Sequence, residues 1–301
     1  MSDGWSDPDD TSWAVAAATA RVPDIQDDER WASDAWVGTP APVDEPMVVG
    51  LEGVVEEPVD WLWEQRIPMG AITMLDGNPG TGKSTITMDL AARVSLGRRM
   101  PDGSRGIKGV SLLLSAEDML ARPIKARLEA AEADLSLIYG LEGVIDALNP
   151  EGRLVSLPRD TRIVHRAILN VEAKLVVIDP FFSYLDGEIN TGVDAEVRRA
   201  MMPLTRIAAQ TGCAMVFVRH PRKPDKKNAG QPPSLEDGGG SLGGLIGAAR
   251  MGLATTTDPE NPTISTLHVT KSNWGSWVRP IDYSVEGIAR GSVGRIVWHP
   301  R

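Results

Sequence analysis

The chain predicts an α/β fold: a mostly parallel, twisted sheet flanked by helices, with an antiparallel β extension at the C-terminal end. Three observations lead there. From residue 71 onward, short apolar runs alternate with stretches of helical periodicity, the pattern of right-handed βαβ units. One run, residues 71–76, leads into Gly77-Asn78-Pro79-Gly80-Thr81-Gly82-Lys83-Ser84, and an apolar-periodic stretch from Thr85 leads out. After Ala248 the texture changes to four consecutive short runs, 251–257, 263–270, 279–285 and 294–298, which read as an antiparallel extension on one sheet edge.

The glycine-rich segment matches G-x-x-x-x-G-K-[ST] in its confirming context of strand, loop and helix. Gly77, Gly80 and Gly82 let the backbone turn tightly, so that several N–H groups point into one concavity suited to phosphate oxygens. Asn78, Pro79 and Thr81 complete the loop. Lys83 supplies a mobile ammonium for the β- and γ-phosphates, and Ser84 supplies a hydroxyl for Mg²⁺, with Thr85 next along the helix. The positive end of that helix adds to the attraction. ATP and Mg²⁺ are therefore the expected cofactors.

Other elements follow in order. Residues 1–46 are acidic and rich in Pro, Ala and Asp, and read as a mostly disordered leader; residues 47–301 read as one ATPase domain. Four tryptophans (Trp5, Trp13, Trp31 and Trp36) stand among the acids of the leader, a mixture that suits a docking motif for a protein partner. Residues 1–66 hold 16 of the 41 acidic residues and 3 of the 31 basic ones, leaving 25 acidic and 28 basic in 67–301. The net charge of −10 thus comes from the first segment, and the rest is compatible with a polyanionic partner. Trp61 and Trp63 would share one face of a strand and pack on the core.

Residues 110–115 form a second strand and 118–131 a helix. Residues 132–158 have no clear period. Residues 161–172 form a helix with Asp160 as N-cap. A β-branched run, 175–178, reads as a strand buried on both faces, and it ends in Asp179. Residues 194–210 are a helix closed near Gly212, and 213–218 a strand. Cys213 is the sole cysteine, so no internal disulfide forms, and a buried small hydrophobe in a reducing, cytoplasmic compartment is expected. No secretory signal or membrane-length apolar run is present in the sequence.

Ligands of parallel sheets bind at the carboxyl ends of strands. Asp179 sits at such an end, the Walker B arrangement, as a support for the metal. Glu117 follows strand 110–115 and is the expected general base that polarises the attacking water; Asp118 is better read as an acid at a helix N-terminus. Arg219 and His220 end the fourth strand, with His220 placed to sense γ-phosphate. The basic stretch that follows (Arg222, Lys223, Lys226 and Lys227) suits phosphate-backbone contacts with a nucleic acid.

Taken together, Trp61-Leu62-Trp63, the segment 75–85, Leu114-Ser115-Ala116-Glu117-Asp118, Val177-Ile178-Asp179-Pro180-Phe181 and Val218-Arg219-His220 resemble the RecA-fold AAA-family ATPases typified by plasmid RepA hexameric helicases. The resemblance runs from about residue 58 to 285. It implies ring-shaped homo-oligomers of hexamer type, with ATP between neighbouring subunits and action on single-stranded DNA. It implies Glu117 as base and His220 as sensor. It also implies a cation supplied by the next subunit, for which Arg250, in a Gly-Ser…Ala-Arg segment, and Lys271, in Lys-x-Asn-x-Gly, are the candidates. Three activities are compatible with it: a helicase in replication or recombination, an ATP-switched regulator or loader without translocation, and a strand-exchange recombinase.

Overall fold

A computed structural model describes residues 48–219, 247–287 and 293–300. The chain divides between Pro58 and Val59. In the first unit the described part holds a single 3₁₀ turn, Leu51–Gly53, with no buried residue. The second unit carries the sheet.

Its strands and helices are, in order, β1 (Trp61–Trp63), β2 (Ile67–Pro68), β3 (Ile72–Gly77), α1 (Lys83–Leu96), β4 (Val110–Ser115), α2 (Ile124–Ala130), β5 (Ile138–Gly140), β6 (Val144–Asp146), β7 (Asn149–Arg153), α3 (Thr161–Val171), β8 (Ala173–Asp179), α4 (Asp194–Thr211), β9 (Ala214–Val218), β10 (Met251–Thr257), β11 (Ile264–Ser272), β12 (Ile281–Gly287) and β13 (Gly294–His299). The main sheet has the order β13-β12-β11-β10-β3-β9-β8-β4-β5. The strands from β10 to β5 are all parallel. This is the expected RecA-like α/β architecture, with one shift of boundary: β10 pairs with β3 in parallel, and the antiparallel part begins only at β11.

The alternation of side chains along these strands sorts them into two cores. Ile72, Met74, Val176, Ile178, Met215 and Phe217 face α3 and α4. Leu75, Leu113, Leu175, Val177, Val216 and Val218 face α1 and α2. Both faces are covered, which is why these strands read as continuous apolar runs. Phe217 and Phe181 stack at 4.6 Å between centroids. Cys213 is buried and free. Residues 132–158, without clear period, supply β5 and the small hairpin β6–β7.

Three local expectations are corrected. The helix expected over 118–131 starts only at Ile124, because Pro123 lacks an N–H and restricts the residue before it. Asp118 is thus not at a helix N-terminus; its carboxylate pairs with the Arg127 guanidinium. Asp160 stands at the N-cap position of α3, yet its side chain does not cap the helix. It accepts instead from the Ser156 amide at 2.8 Å and from both terminal nitrogens of Arg153, a charged partner outcompeting a helix amide.

The two tryptophans of β1 differ in burial, Trp61 being half-buried, and a register shift lies between them. Trp63 is fully buried, donates from Nε1 to Asp102 at 3.0 Å and meets the edge of Trp298 at 5.5 Å. Trp298 in turn donates to Asp89 of α1 at 2.7 Å, so the last strand ties down the helix that follows the glycine loop. Among the described residues, no helix is long and apolar enough to cross a membrane.

Candidate functional site

The glycine loop leaves the carboxyl end of β3 at Gly77 and enters α1 at Lys83. Gly77, Gly80 and Gly82 all have positive φ, at 150°, 82° and 87°. Gly77 is required by space as well: a β-carbon there would stand 1.9 Å from Thr255 Oγ1. That hydroxyl bonds the Thr81 hydroxyl at 2.7 Å and donates to the Asp76 carbonyl at 3.2 Å. Tyr283 donates to the Thr81 carbonyl at 2.6 Å. The loop is therefore gripped from behind by β10 and β12, 174 and 202 residues away in sequence. Local spacing carries no signal for Thr255 or Tyr283, and neither was expected at the site.

The rim of the loop is open. Asn78, Pro79 and Gly80 are exposed, and a β-carbon at Gly80 would meet nothing within 4 Å. Gly82 at the N-cap offers no side chain to the first amides of α1, which leaves those amides to a ligand or solvent. Lys83 is buried, and its ammonium donates to the Gly77 and Asn78 carbonyls at 2.6 and 2.9 Å. Burial pushes its pKa down to about 8, against the raising influence of Asp179, Asp76 and Glu117. These carboxylates stand at the ends of β8 and β3 and in the turn after β4. Ser84 and Thr85, which follow Lys83, are half-buried.

Asp179 is buried at the end of β8, in register with Ser115 of β4. The amide of Ala116 donates to its carbonyl at 3.0 Å, which fixes the turn carrying exposed Glu117 against the end of β8. The site residues fit a nucleoside triphosphate with Mg²⁺: an amide-lined concavity and ammonium for phosphate, and the hard oxygens of Ser84 and Asp179 for the metal. Among the described residues no group of three or more His, Cys, Asp and Glu could hold a metal by itself.

A second charged pair underlies the loop. Arg219, at the end of β9, donates from Nε and Nη2 to the two carboxylate oxygens of Asp76 at 2.5 and 2.9 Å. Both side chains are buried, at 1% and 6% exposure. Burial raises the Asp76 pKa, opposed by Arg219 and then by Lys83. Sequence reasoning saw Arg219 only as a strand end; the acid immediately before the glycine loop was the available signal.

The remaining candidates are not at this end of the sheet. The Arg250 amide bonds the Ile72 carbonyl at 2.9 Å, at the start of β3. Lys271 pairs with Gly252 at the start of β10 and donates to the Ala249 carbonyl at 2.7 Å. Burial and the neighbouring Arg250 lower the Lys271 pKa. Five residues of β3, about 16 Å at 3.3 Å per residue, separate this pair from the chain's own glycine loop. His220 and the basic stretch after it lie outside the described residues.

Comparison with known proteins agrees with the architecture. A match of 27% identity over 156 residues links the chain to the DNA repair protein RadA of Halalkalibacterium halodurans, covering 51% of this chain and 28% of that protein. The chain thus spans well under half of the length of this relative. Residues 41–226, more than half of the chain, match the AAA domain, and by this match, with the glycine loop and parallel sheet already described, the chain belongs to the AAA domain family.

Proposed function

We propose that this protein is a RecA-like, RepA-like ATPase that binds ATP with Mg²⁺, hydrolyses it, and acts on single-stranded DNA in replication or recombination. The observation that carries the reading is the glycine loop itself, with Gly77, Gly80 and Gly82 at positive φ, an exposed rim, and the buried Lys83 ammonium held on the Gly77 and Asn78 carbonyls. The similarity to a DNA repair protein supports DNA as the polymer.

In this reading the amides of residues 77–85 and the Lys83 ammonium hold the phosphates. Ser84 and Asp179 hold the metal, which when bound neutralises charge on the transferring phosphoryl group. Glu117, exposed at the rim, accepts a proton from the attacking water. His220 reports on the γ-phosphate. Arg250 or Lys271 acts on the nucleotide of a neighbouring subunit, since its own loop is a strand length away. Subunits associate head to tail, as a ring of hexamer type. Residues 1–46 form a leader that recruits a protein partner, and residues 47–301 form the ATPase domain.

The test is the ATPase rate with and without single-stranded DNA, on wild type, Glu117→Gln and the Lys226→Ala/Lys227→Ala double variant. DNA should stimulate the wild type and not the lysine variant. Glu117→Gln should keep ATP binding while turnover falls about 10²- to 10⁴-fold. Hydrolysis without stimulation would instead favour an ATP-switched regulator or loader, and filaments rather than rings in particle images would favour strand exchange.

A further inference from the structure

At the end of the sheet opposite the glycine loop, one turn presents two indoles to solvent, and a guanidinium lies over the first of them. Residues 273–280 connect β11 to β12, and Trp274 and Trp277 are 43% and 69% exposed. The Arg250 guanidinium lies over the Trp274 ring, 5.8 Å from its centroid, and Lys271 stands close enough to Arg250 to feel its charge.

The turn is held firmly. The Ser272 hydroxyl donates to the Gly275 carbonyl at 2.5 Å and accepts from its amide. The Ser276 amide donates to Gln65 Oε1 at 2.5 Å. Gly275 lies so close to β1 that a β-carbon would stand 2.8 Å from the Trp61 ring. A pinned backbone that exposes large apolar rings marks an interaction surface. Flat indoles next to fixed cations match a ligand that is heteroaromatic at one end and polyanionic at the other.

We infer that Trp274 and Trp277 form a base-recognition surface for the nucleotide bound in the glycine loop of a second copy of this chain. The inference rests on the proposed nucleotide site and head-to-tail association. The loop end of the molecule has an open rim at Asn78, Pro79 and Gly80 and an exposed carboxylate at Glu117, while its nearby Arg219 is engaged with Asp76. The other end of the same strands offers Arg250, Lys271 and the indoles. Complementary surfaces at opposite ends of one chain generate heterologous, head-to-tail contacts. In such a contact the cations meet phosphate and the indoles meet the base.

The test uses the full chain and a fluorescent ATP analogue labelled on the ribose. Trp274→Ala/Trp277→Ala should bind it about 5- to 150-fold more weakly than wild type, the range for loss of base–aromatic stacking. Trp274→Phe/Trp277→Phe should recover most of the affinity, and circular dichroism should show both variants folded. Mixing the double-alanine variant, whose loop is intact, with Lys83→Ala, whose indoles are intact, should restore tight binding beyond the sum of the two proteins. Wild-type affinity in the double-alanine variant, or a mixture equal to the sum of its parts, would overturn the inference. So would loss of single-stranded DNA affinity with nucleotide affinity unchanged, which would make the turn a nucleic-acid surface. Failure of the underlying reading looks different: Lys83→Ala alone would then keep full nucleotide affinity.

Discussion

Replacing either member of the Asp76–Arg219 pair should cost far more than replacing both. The pair is bidentate, at 2.5 and 2.9 Å, and its side chains are 1% and 6% exposed. Asp76→Leu strands a buried guanidinium, and Arg219→Met strands a buried carboxylate. Either loss should cost about 3–5 kcal/mol, because the remaining charge keeps its desolvation penalty without its bidentate partner. Against a total stability of about 5–15 kcal/mol, each single variant sits near the edge of folding. The double variant replaces both charges with apolar volume and should lie within about 2 kcal/mol of wild type, as buried pairs exchanged for hydrophobic residues do. Additivity would predict about 6–10 kcal/mol, so the cycle has a coupling energy of several kcal/mol. Urea denaturation of the four proteins, read as midpoints at constant slope, measures it. Single variants within about 1 kcal/mol of wild type, or a double variant equal to the sum, would show that the pair is solvated or otherwise compensated, and the reasoning would be wrong.

Gly77→Ala should lose about 2–4 kcal/mol of stability, from overpacking against Thr255 and an unfavourable φ of 150°. Adding Thr255→Ala should return only part of this, because the Thr255 carbonyl still stands 3.0 Å from the new β-carbon; a full return in thermal melts would point to the side chain alone. The Lys83 pKa, pushed down to about 8 from an ordinary 10.5, has a defined sign. Between those values the unfolded chain binds more protons than the folded one, so this group's cost to stability is fully present below about 8 and fades as pH rises toward 10.5. Phosphate bound at Lys83 restores the charge, so near pH 8.5 ATP binding should take up protons. Calorimetry in two buffers of different ionisation enthalpy checks this, and buffer-independent heats would refute it. Trp63→Ala should cost about 3–5 kcal/mol and lower the chemical-denaturation midpoint, through loss of its burial and its Asp102 hydrogen bond.

The central strands β3, β4, β8 and β9 were legible because each is built on a short apolar run. Leu175 to Ile178 can be buried on both faces only within a helix-covered sheet, and β8 is there. Four runs after Ala248 were recognised as strands, but not that the first of them joins β3 in parallel. Pairing direction follows from the place a strand takes in the sheet, not from the run itself. The start of α2 was missed because helical periodicity outweighed Pro123, and the Asp160 cap because its competitor, Arg153, approaches from a neighbouring hairpin.

The sequence by itself determined the glycine loop, the acids at the strand ends and the presence of α/β alternation, since each depends on residues within one or two turns of chain. Only the tertiary structure decided what stands behind and opposite that loop. Thr255, Tyr283 and Arg219 reach it from strands far along the chain, and their grip is a product of sheet order. The same order sets Arg250, Lys271 and the two indoles at the far end of β3, a strand length from the loop. Hydrogen-bonded register fixes that distance, and no pattern of residue types encodes it.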